Sequence, residues 1–559
     1  MARSRSSARR QAVARPGARA DAAPPGRATP LEPWRAAFPL AWVLLLLAAP
    51  PASNFFWGVN GVRSLPAAGA ALLIACAAAA AGLPKLRSGA AGAALAAAAL
   101  ALIAFGLRES AHWLGDTGVR LGALTMFVHG VDAQPLARWA AQIHAAPLDF
   151  VVNFLAPAAL ARAGVAIEQA VSAVTFLTGL AFVAGAWRVS GRLGIGAALR
   201  PAATAALVLA GTLALYAGYA ESGGLALAAA AWWWAALLAP LGTRAQAGRT
   251  AAWWLVLFLC HRVAWLMLIP MIWRCLGPAA PGDRPEHRRA CLAFTGAAAL
   301  LAAGLGALLG GGEQLGSDLA DVLAGRLAFA RWHDVLNLVL LIAPLALLEP
   351  GLTWGRPQPG HDVPQRGLLQ VAALPLIPLA VILPVAPSGL GVQRDWDLAA
   401  LLGWTLTLAA VERLRALPAP AFGRALAWVL AGLVLTAGGW IGVHADAGAT
   451  LRRAEAFVTG APRPAAPQLG HAHLYLGRWH ESRGERDAAA EAYAASYEHV
   501  PTPNRGMLAA RMYAEAGRFA EARDMIGRIR RRGGFDESTR AVLDGLDAQI
   551  EALDGSTSP

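Results

Sequence analysis

Apolar runs of about 20 residues recur between Phe38 and Gly442, and each is long enough to cross a hydrocarbon core of roughly 30 Å. In lipid the backbone N–H and C=O groups must be satisfied within the segment, which a helix achieves and an isolated strand does not. Hydrophobic residues make up 57 % of the chain and charged residues 15 %, whereas a soluble domain carries roughly a quarter charged residues. A single water-soluble globule is thereby excluded. The expected fold class is all-α, a polytopic transmembrane helical bundle of about 11 spans followed by a small α-helical domain.

The net charge is +13. Its basic residues lie in an N-terminal tail and in short loops between apolar runs, a distribution that orients a membrane protein rather than one that binds nucleic acid. Residues 1–35 hold eight Arg against Asp21 and Glu32, with no apolar periodicity, and read as a disordered cytoplasmic tail. A cleaved signal peptide is not expected, since the basic stretch is too long and further spans follow. With the tail inside, spans at about 37–57, 66–83 and 89–107 put the segment 108–150 outside, where amphipathic helices are expected on the membrane surface.

Two stretches leave alternatives open. The run 147–187 is either one span preceded by an interfacial or re-entrant helix, or two spans meeting near Ile167. Arg188, Arg192 and Arg200 belong inside and favour the first. The run 251–273 carries His261 and Arg262 at its middle, between two Arg-rich loops. It is either a single crossing or a re-entrant hairpin with His261 at its tip, and the hairpin keeps both loops inside. Further spans at about 201–219, 222–240, 292–311, 335–349, 368–386, 398–411 and 424–443 leave the chain from Asp446 outside the membrane as well.

From Leu451 to the end, 15 Arg balance 15 Asp and Glu, so this region is neutral. Within it "GERDAAAEAY" (484–493) and "GRFAEARDMI" (517–526) align at a spacing of 33. They resemble a tetratricopeptide repeat pair, whose period is about 34. Two units are fewer than a free solenoid needs, which implies capping helices or docking onto the membrane domain. The expected organisation is therefore a tail 1–35, a membrane domain 36–445 with its outer loop 108–150, and a tetratricopeptide-like domain 446–559. Cys76, Cys260, Cys275 and Cys291 lie in or beside apolar segments without paired spacing, so neither a disulfide framework nor a zinc site is expected. Richness in Ala and Arg, with Lys85 the only lysine, implies a GC-rich bacterial genome and hence the cytoplasmic membrane.

Ionisable residues on the outer face or within spans are the informative ones in such a chain. Four clusters fall on the outer side: "RESAHWLGD" (108–116), "GYAES" (218–222), "RWHDVLN" (331–337) and "QRDWD" (393–397). Asp116, just beyond a span, suits a general base for an acceptor hydroxyl, or else an ordinary helix N-cap. Glu221, beside Tyr216 and Tyr219, would bind a sugar hydroxyl or position Asp116, or be a solvated loop carboxylate. Asp395 and Asp397 flank Trp396, a carbohydrate-like surface. Arg394 there either holds a phosphate or pairs with an Asp. His261 and Arg262 would be costly within lipid and mark either a protein-lined cavity or a misplaced span boundary, and Arg262 would face a lipid phosphate or diphosphate at the outer headgroup level or else hold a structural partner. Glu109 and His112 complete the candidate substrate-binding set. His129, His144 and His333 lack close metal-ligand spacing such as HExxH, so a metal site has weak support, no cofactor is identified, and the sequence leaves dependence on a divalent metal undetermined. There is no Walker loop and no nucleophile elbow, which disfavours cytosolic nucleotide chemistry.

These features resemble the GT-C superfamily of integral membrane glycosyltransferases, which take sugars from polyprenyl-phosphate carriers. The resemblance rests on "LGD" (114–116), "APLDFVVNFLAPAALARAGV" (146–165), "GYAES" and "LCHRVAWLMLIP" (259–270). It implies an extracytoplasmic transfer with a lipid-linked sugar as donor, Asp116 and Glu221 as catalytic carboxylates, and Arg262 or Arg394 facing the phosphate. One departure matters: many relatives carry paired acids in the first loop, whereas Thr117 follows Asp116. Either Glu109 or Glu221 would then supply the second carboxylate. The combination with C-terminal repeats is similar to the tetratricopeptide-containing O-mannosyltransferase type, the repeats presenting a protein or glycan acceptor. A membrane-anchored scaffold and a transporter of lipid-linked sugars are the alternative readings.

Overall fold

The computed structural model describes residues 33–51, 53–82, 89–115, 117–131, 146–308, 332–353, 393–394 and 396–557. Every regular element among them is helical. Three helices are long and apolar enough to cross a membrane: Ile167–Arg192, Pro285–Leu305 and Ala419–Ala445. A fourth crossing results if His333–Ile342 and Pro344–Thr353, bent by 83° at their junction, act as one span. The bend falls where Pro344 removes a backbone donor and disfavours helical geometry at the residue before it. About eleven expected crossings thus correspond to three or four among the described residues, and the expected span at 368–386 lies outside them.

Several expected spans are short or broken for local reasons. The run 201–219 is helical only over Arg200–Val208, then continues as a tighter turn over Gly211–Tyr216. That turn is wholly buried, and a Cβ on Gly211 would stand 2.8 Å from the Leu341 carbonyl oxygen. The run 147–187 resolves into a helical segment from Pro147 to Arg162, a turn at Gly164 (φ +95°), and the long helix Ile167–Arg192. Phe150 and Phe154 of the first piece pack on Ala123 and Leu124 of the helix Thr117–Val128.

Helix Ile167–Arg192 opens on Glu168 and closes on Arg192, charges that complement its dipole. It crosses Ser222–Leu237 closely because Gly185 has no Cβ, which would lie 2.7 Å from the Ala231 Cβ. Small residues of this kind let apolar helices approach where no hydrophobic drive exists between them. Gly61 and Gly439 serve the same purpose where the short helix Gly61–Ser64 meets Ala419–Ala445.

The run 251–273 goes out and back. Helix Arg244–Cys260 ends at His261, whose Nδ1 accepts from Val263 N at 3.1 Å. Trp254 Nε1 donates to the Ala264 carbonyl at 3.0 Å. A straight helix would carry those residues roughly 15 Å apart along its axis, so the chain has reversed. On its return Arg274 Nε donates to the Leu237 carbonyl at 3.0 Å, and Asp283 accepts from Leu241 N at 2.8 Å. Both ends of the excursion therefore meet, as the hairpin alternative requires.

The apolar core does not divide at residue 446. One continuous cluster runs from Trp42 to Leu476 and includes Ala454, Phe457, Leu469 and Ala472, so the helices Ala447–Thr459 and Ala466–Ser482 pack into the larger body. A second core, from Ala489 to Ile550, is built by the helices Arg486–His499, Pro503–Glu515, Phe519–Arg532 and Glu537–Thr557. Gly484 and Gly517 hold equivalent turns with φ of +72° and +77°, 33 positions apart, where a residue with a Cβ would be strained.

Candidate functional site

The short segment 107–115 links a π-helical turn, Leu102–Gly106, to the helix Thr117–Val128. It is pinned from both sides: Glu109 N donates to the Ala217 carbonyl and Ser110 N to the His444 carbonyl, each at 3.0 Å. Arg108 and Ser110 line an open cleft of about 650 Å³ with Phe105, Val165, Gln169 and Ala445, while Glu109 turns inward and is buried.

Inward of this segment four carboxylates gather from distant parts of the chain. Glu109, Asp149, Glu221 and Asp397 are each at most 8 % exposed. Arg120 bridges two of them, with Nη1 2.9 Å from Asp149 and Nη2 3.5 Å from Glu221. Asn153 donates to Asp149 at 2.6 Å and to the Glu221 carbonyl at 3.1 Å. Gly115 is the joint of the site: its φ is +48°, its N–H donates to the Arg394 carbonyl at 3.0 Å, and a Cβ there would meet Tyr219 Oη and Glu221 Oε1. Asp397 Cβ stands 3.5 Å from the Cβ position on Gly223, and the Trp396 ring is 6.3 Å from that of Tyr219. Arg394 Nε donates to the Trp113 carbonyl at 2.9 Å, its guanidinium 4.2 Å above the Trp113 ring.

The hairpin tip reaches the same place. His261 lies within electrostatic range of Asp149 and Arg120, and Arg262 opens the turn beside it. His112, in contrast, sits toward Glu168 and Arg108 with a φ of 51°. Glu109, Glu221, Arg394, Asp397 and His261 are thus brought together and His112 is set apart, while Asp116 and Asp395 lie outside the described residues. The "RWHDVLN" stretch serves another purpose. Asp334 accepts from Trp57 Nε1, and Asn337 holds Gly58 N and the Phe55 carbonyl, so it secures the loop after the first helix.

The sequence singles out none of Arg120, Asp149 and Asn153 as site residues, although Asp149 and Asn153 fall within "APLDFVVNFLAPAALARAGV" (146–165). Arg120 and Asp149 are 29 positions apart on different elements, so no spacing rule joins them. Asn153 follows Asp149 by one helical turn and sits on a π-helical turn, Phe150–Leu155. Such turns are rare and concentrate at functional positions, but their hydrogen-bond shift has no simple sequence code. No group of three or more His, Cys, Asp or Glu among the described residues is arranged to hold a metal ion.

Burial pushes the Glu109 carboxyl up to about 8, against the downward pull of the Leu114 and Trp113 N–H groups and the Arg394 charge. Leu114 N donates to its Oε1 at 2.9 Å. Its ordinary value is 4.5, so above that pH the unfolded chain loses a proton that the folded chain retains until about pH 8. The native state then binds more protons, and stability falls as pH rises from 4.5 to 8. We expect the melting temperature of detergent-solubilised protein to decline across this window, and Glu109→Gln, which keeps the Leu114 bond, to flatten the decline. Parallel curves for the two proteins would refute a buried protonated Glu109.

Comparison with known proteins returned no match, whether to a family model, a curated protein or a solved structure.

Proposed function

We propose that the chain is a membrane glycosyltransferase that moves a sugar from a polyprenyl-phosphate carrier to an extracytoplasmic acceptor. The observation that carries this reading is the convergence of Glu109, Asp149, Glu221 and Asp397 with Arg120 and Arg394 in one buried site beside an open cleft. Buried carboxylates are expensive unless paired, and their concentration at one place marks a site where charge and protons are managed. In the proposed reaction Asp116 takes the proton of the acceptor hydroxyl as its oxygen attacks the anomeric carbon. The bond from that carbon to the phosphate oxygen breaks, and the phosphate leaves with the electron pair, inverting the configuration. Glu221 orients the acceptor, and Arg394 or Arg262 faces the leaving phosphate. The same reading carries about eleven crossings, a cytoplasmic N-terminus, a bacterial cytoplasmic membrane and an outward tetratricopeptide-like domain that presents a protein or glycan acceptor.

The scaffold reading draws on the second core, which forms paired helices with repeated glycine turns. Mass spectrometry of polyprenyl-linked sugars and envelope glycans separates the two. A deletion strain is complemented with wild type, Asp116→Asn, Glu221→Gln, or a chain ending at Arg483, a boundary that keeps every buried residue of the larger core. Transfer predicts that a lipid-linked sugar accumulates in the deletion and in both carboxylate variants. Normal glycans in those variants, with a defect only in the truncated chain, would replace the transferase by the scaffold.

A further inference from the structure

The Arg-rich end of the helix Ile167–Arg192 takes no part in the acid cluster. No Asp or Glu occurs between Gln169 and Ala220 or between Ser222 and Gly282, so the basic residues of this region have no acidic neighbour along the chain. Arg188, Arg192 and Arg200 make no ion pair among the described residues. The helix dipole accounts for one cation at a helix end, and here there are three.

Arg200 opens the next helix, Arg200–Val208, and folds back on the one before it. Its Nε and Nη2 donate to the Trp187 carbonyl at 3.2 and 2.8 Å, its guanidinium lies 4.3 Å from the Trp187 ring, and its Nη2 is 2.6 Å from the Cβ position on Gly191. Trp187 and Gly191 are one helical turn apart, and Arg188 and Arg192 each follow one of them by a single position, so the three cations share one end of the helix. The Arg188 guanidinium lies 5.1 Å from the Trp232 ring. That ring stacks on Trp253 at 5.7 Å and is fixed by its Nε1, which donates to the Ala181 carbonyl at 2.9 Å. Arg188 and Arg192 are exposed, whereas Arg200 and the three indoles are partly buried. Burial, and after it the Arg188 charge, lower the Arg200 pKa from its ordinary value.

We infer that this patch binds the phosphate of an anionic phospholipid at the membrane boundary, with Arg188, Arg192 and Arg200 as the cationic set and Trp187, Trp232 and Trp253 as the aromatic shelf beside it. The helix has 26 residues and is therefore about 39 Å long, of which a hydrocarbon core takes about 30 Å. Its terminal turn stands at headgroup depth, where indole rings and arginines both concentrate. Guanidinium groups without carboxylates are open to a phosphate, which accepts charge-assisted hydrogen bonds from them, and basic pockets between spanning helices recognise such headgroups. A choline group would bring a further cation to rings already occupied by guanidinium, so the patch selects anionic over zwitterionic lipid. The inference rests on the crossing of this helix and not on sugar transfer.

The test is native mass spectrometry of the full-length protein in detergent, titrated separately with phosphatidylglycerol and phosphatidylcholine. Wild type is compared with Arg188→Gln/Arg192→Gln, which leaves Arg200 in place, and with Arg284→Gln/Arg289→Gln, exposed arginines of another basic stretch. We expect wild type to bind its first phosphatidylglycerol at least about tenfold more tightly than phosphatidylcholine, a difference of one decade in Kd. Arg188→Gln/Arg192→Gln should lose that preference and Arg284→Gln/Arg289→Gln should keep it. Arg188→Lys/Arg192→Lys retains both charges and should bind phosphatidylglycerol within about threefold of wild type. Absence of a preference in wild type, its survival in Arg188→Gln/Arg192→Gln, or an equal loss from both glutamine pairs overturns the inference. Loss from the lysine pair does so as well, since these positions would then serve folding. Because sugar transfer is not read, loss of the transferase reading would leave this result unaffected.

Discussion

Gly115→Ala is expected to destabilise the protein by about 2–4 kcal/mol and to disorganise the acid cluster, because it combines a backbone penalty with a steric one. A Cβ on a residue at φ +48° meets the following carbonyl oxygen, which costs about 1–2 kcal/mol. The same Cβ would collide with Tyr219 Oη and come within 3.0 Å of Glu221 Oε1. Tyr219 is 2 % exposed and stands against Trp396, so it has nowhere to retreat, and overpacking of this kind adds about 1–3 kcal/mol. Gly130 provides the control: its φ is +70°, yet nothing lies within 4 Å of its Cβ position. Thermal melts in detergent should show Gly115→Ala well below Gly130→Ala. Equal melting temperatures would mean that the Tyr219 and Glu221 contacts exert no steric constraint.

Arg453→Met should be as damaging, by about 3–5 kcal/mol, through lost charge-assisted hydrogen bonds. Arg453 is 4 % exposed. It donates to Asn60 Oδ1 at 3.0 Å and to the Trp57 carbonyl, and its guanidinium lies 4.6 Å from the Trp440 ring. Methionine fills most of the volume but leaves both acceptors buried and unpaired, since Asn60 and Trp57 are almost wholly enclosed. Asn54, from the same loop, donates to the carbonyls of Phe457 and Gly460, so this contact ties the helix Ala447–Thr459 to the loop after the first helix. Limited proteolysis should therefore release C-terminal fragments from Arg453→Met at temperatures where wild type resists. The neighbouring exposed Arg452 serves as comparison, and Arg452→Met should behave as wild type. If the two variants resist equally, the Arg453 contacts do not hold the C-terminal helices in place.

Local features of the fold were legible where one residue type has one dominant consequence. The turns at Gly484 and Gly517 and the helical class of the apolar runs follow from a missing Cβ and the need to pair backbone groups internally, whereas the bend at Pro344 divides a stretch that reads as one span over 335–349. Continuity was not legible in the same way. The run 201–219 has the hydropathy of a span, yet its second half tightens into a short turn packed beneath Leu341. Hydropathy measures preference for an apolar surrounding and does not distinguish lipid from protein as its source. The His261 turn lay between two alternatives for the same reason, and the Arg274 and Asp283 contacts at its base favoured the hairpin.

For the site, residue chemistry singled out Glu109, Glu221, Arg394 and Asp397 as unusual in an apolar chain, since burying such groups carries a penalty that must be met by partners. It did not reveal the partners. Arg120, Asp149 and Asn153 became visible only once the helix Thr117–Val128 and the segment after Pro147 were packed together. The sequence alone determined that the chain is helical, that its charges concentrate at the ends of apolar segments, and which carboxylates are costly to bury. Tertiary structure decided which of those charges meet, and that the helices after residue 446 share a core with the larger body through Phe457, Leu469 and Ala472. Composition and periodicity act over one or two helical turns, whereas an ion pair between residues tens of positions apart depends on helix crossings, and those are set by side-chain shape across the whole core.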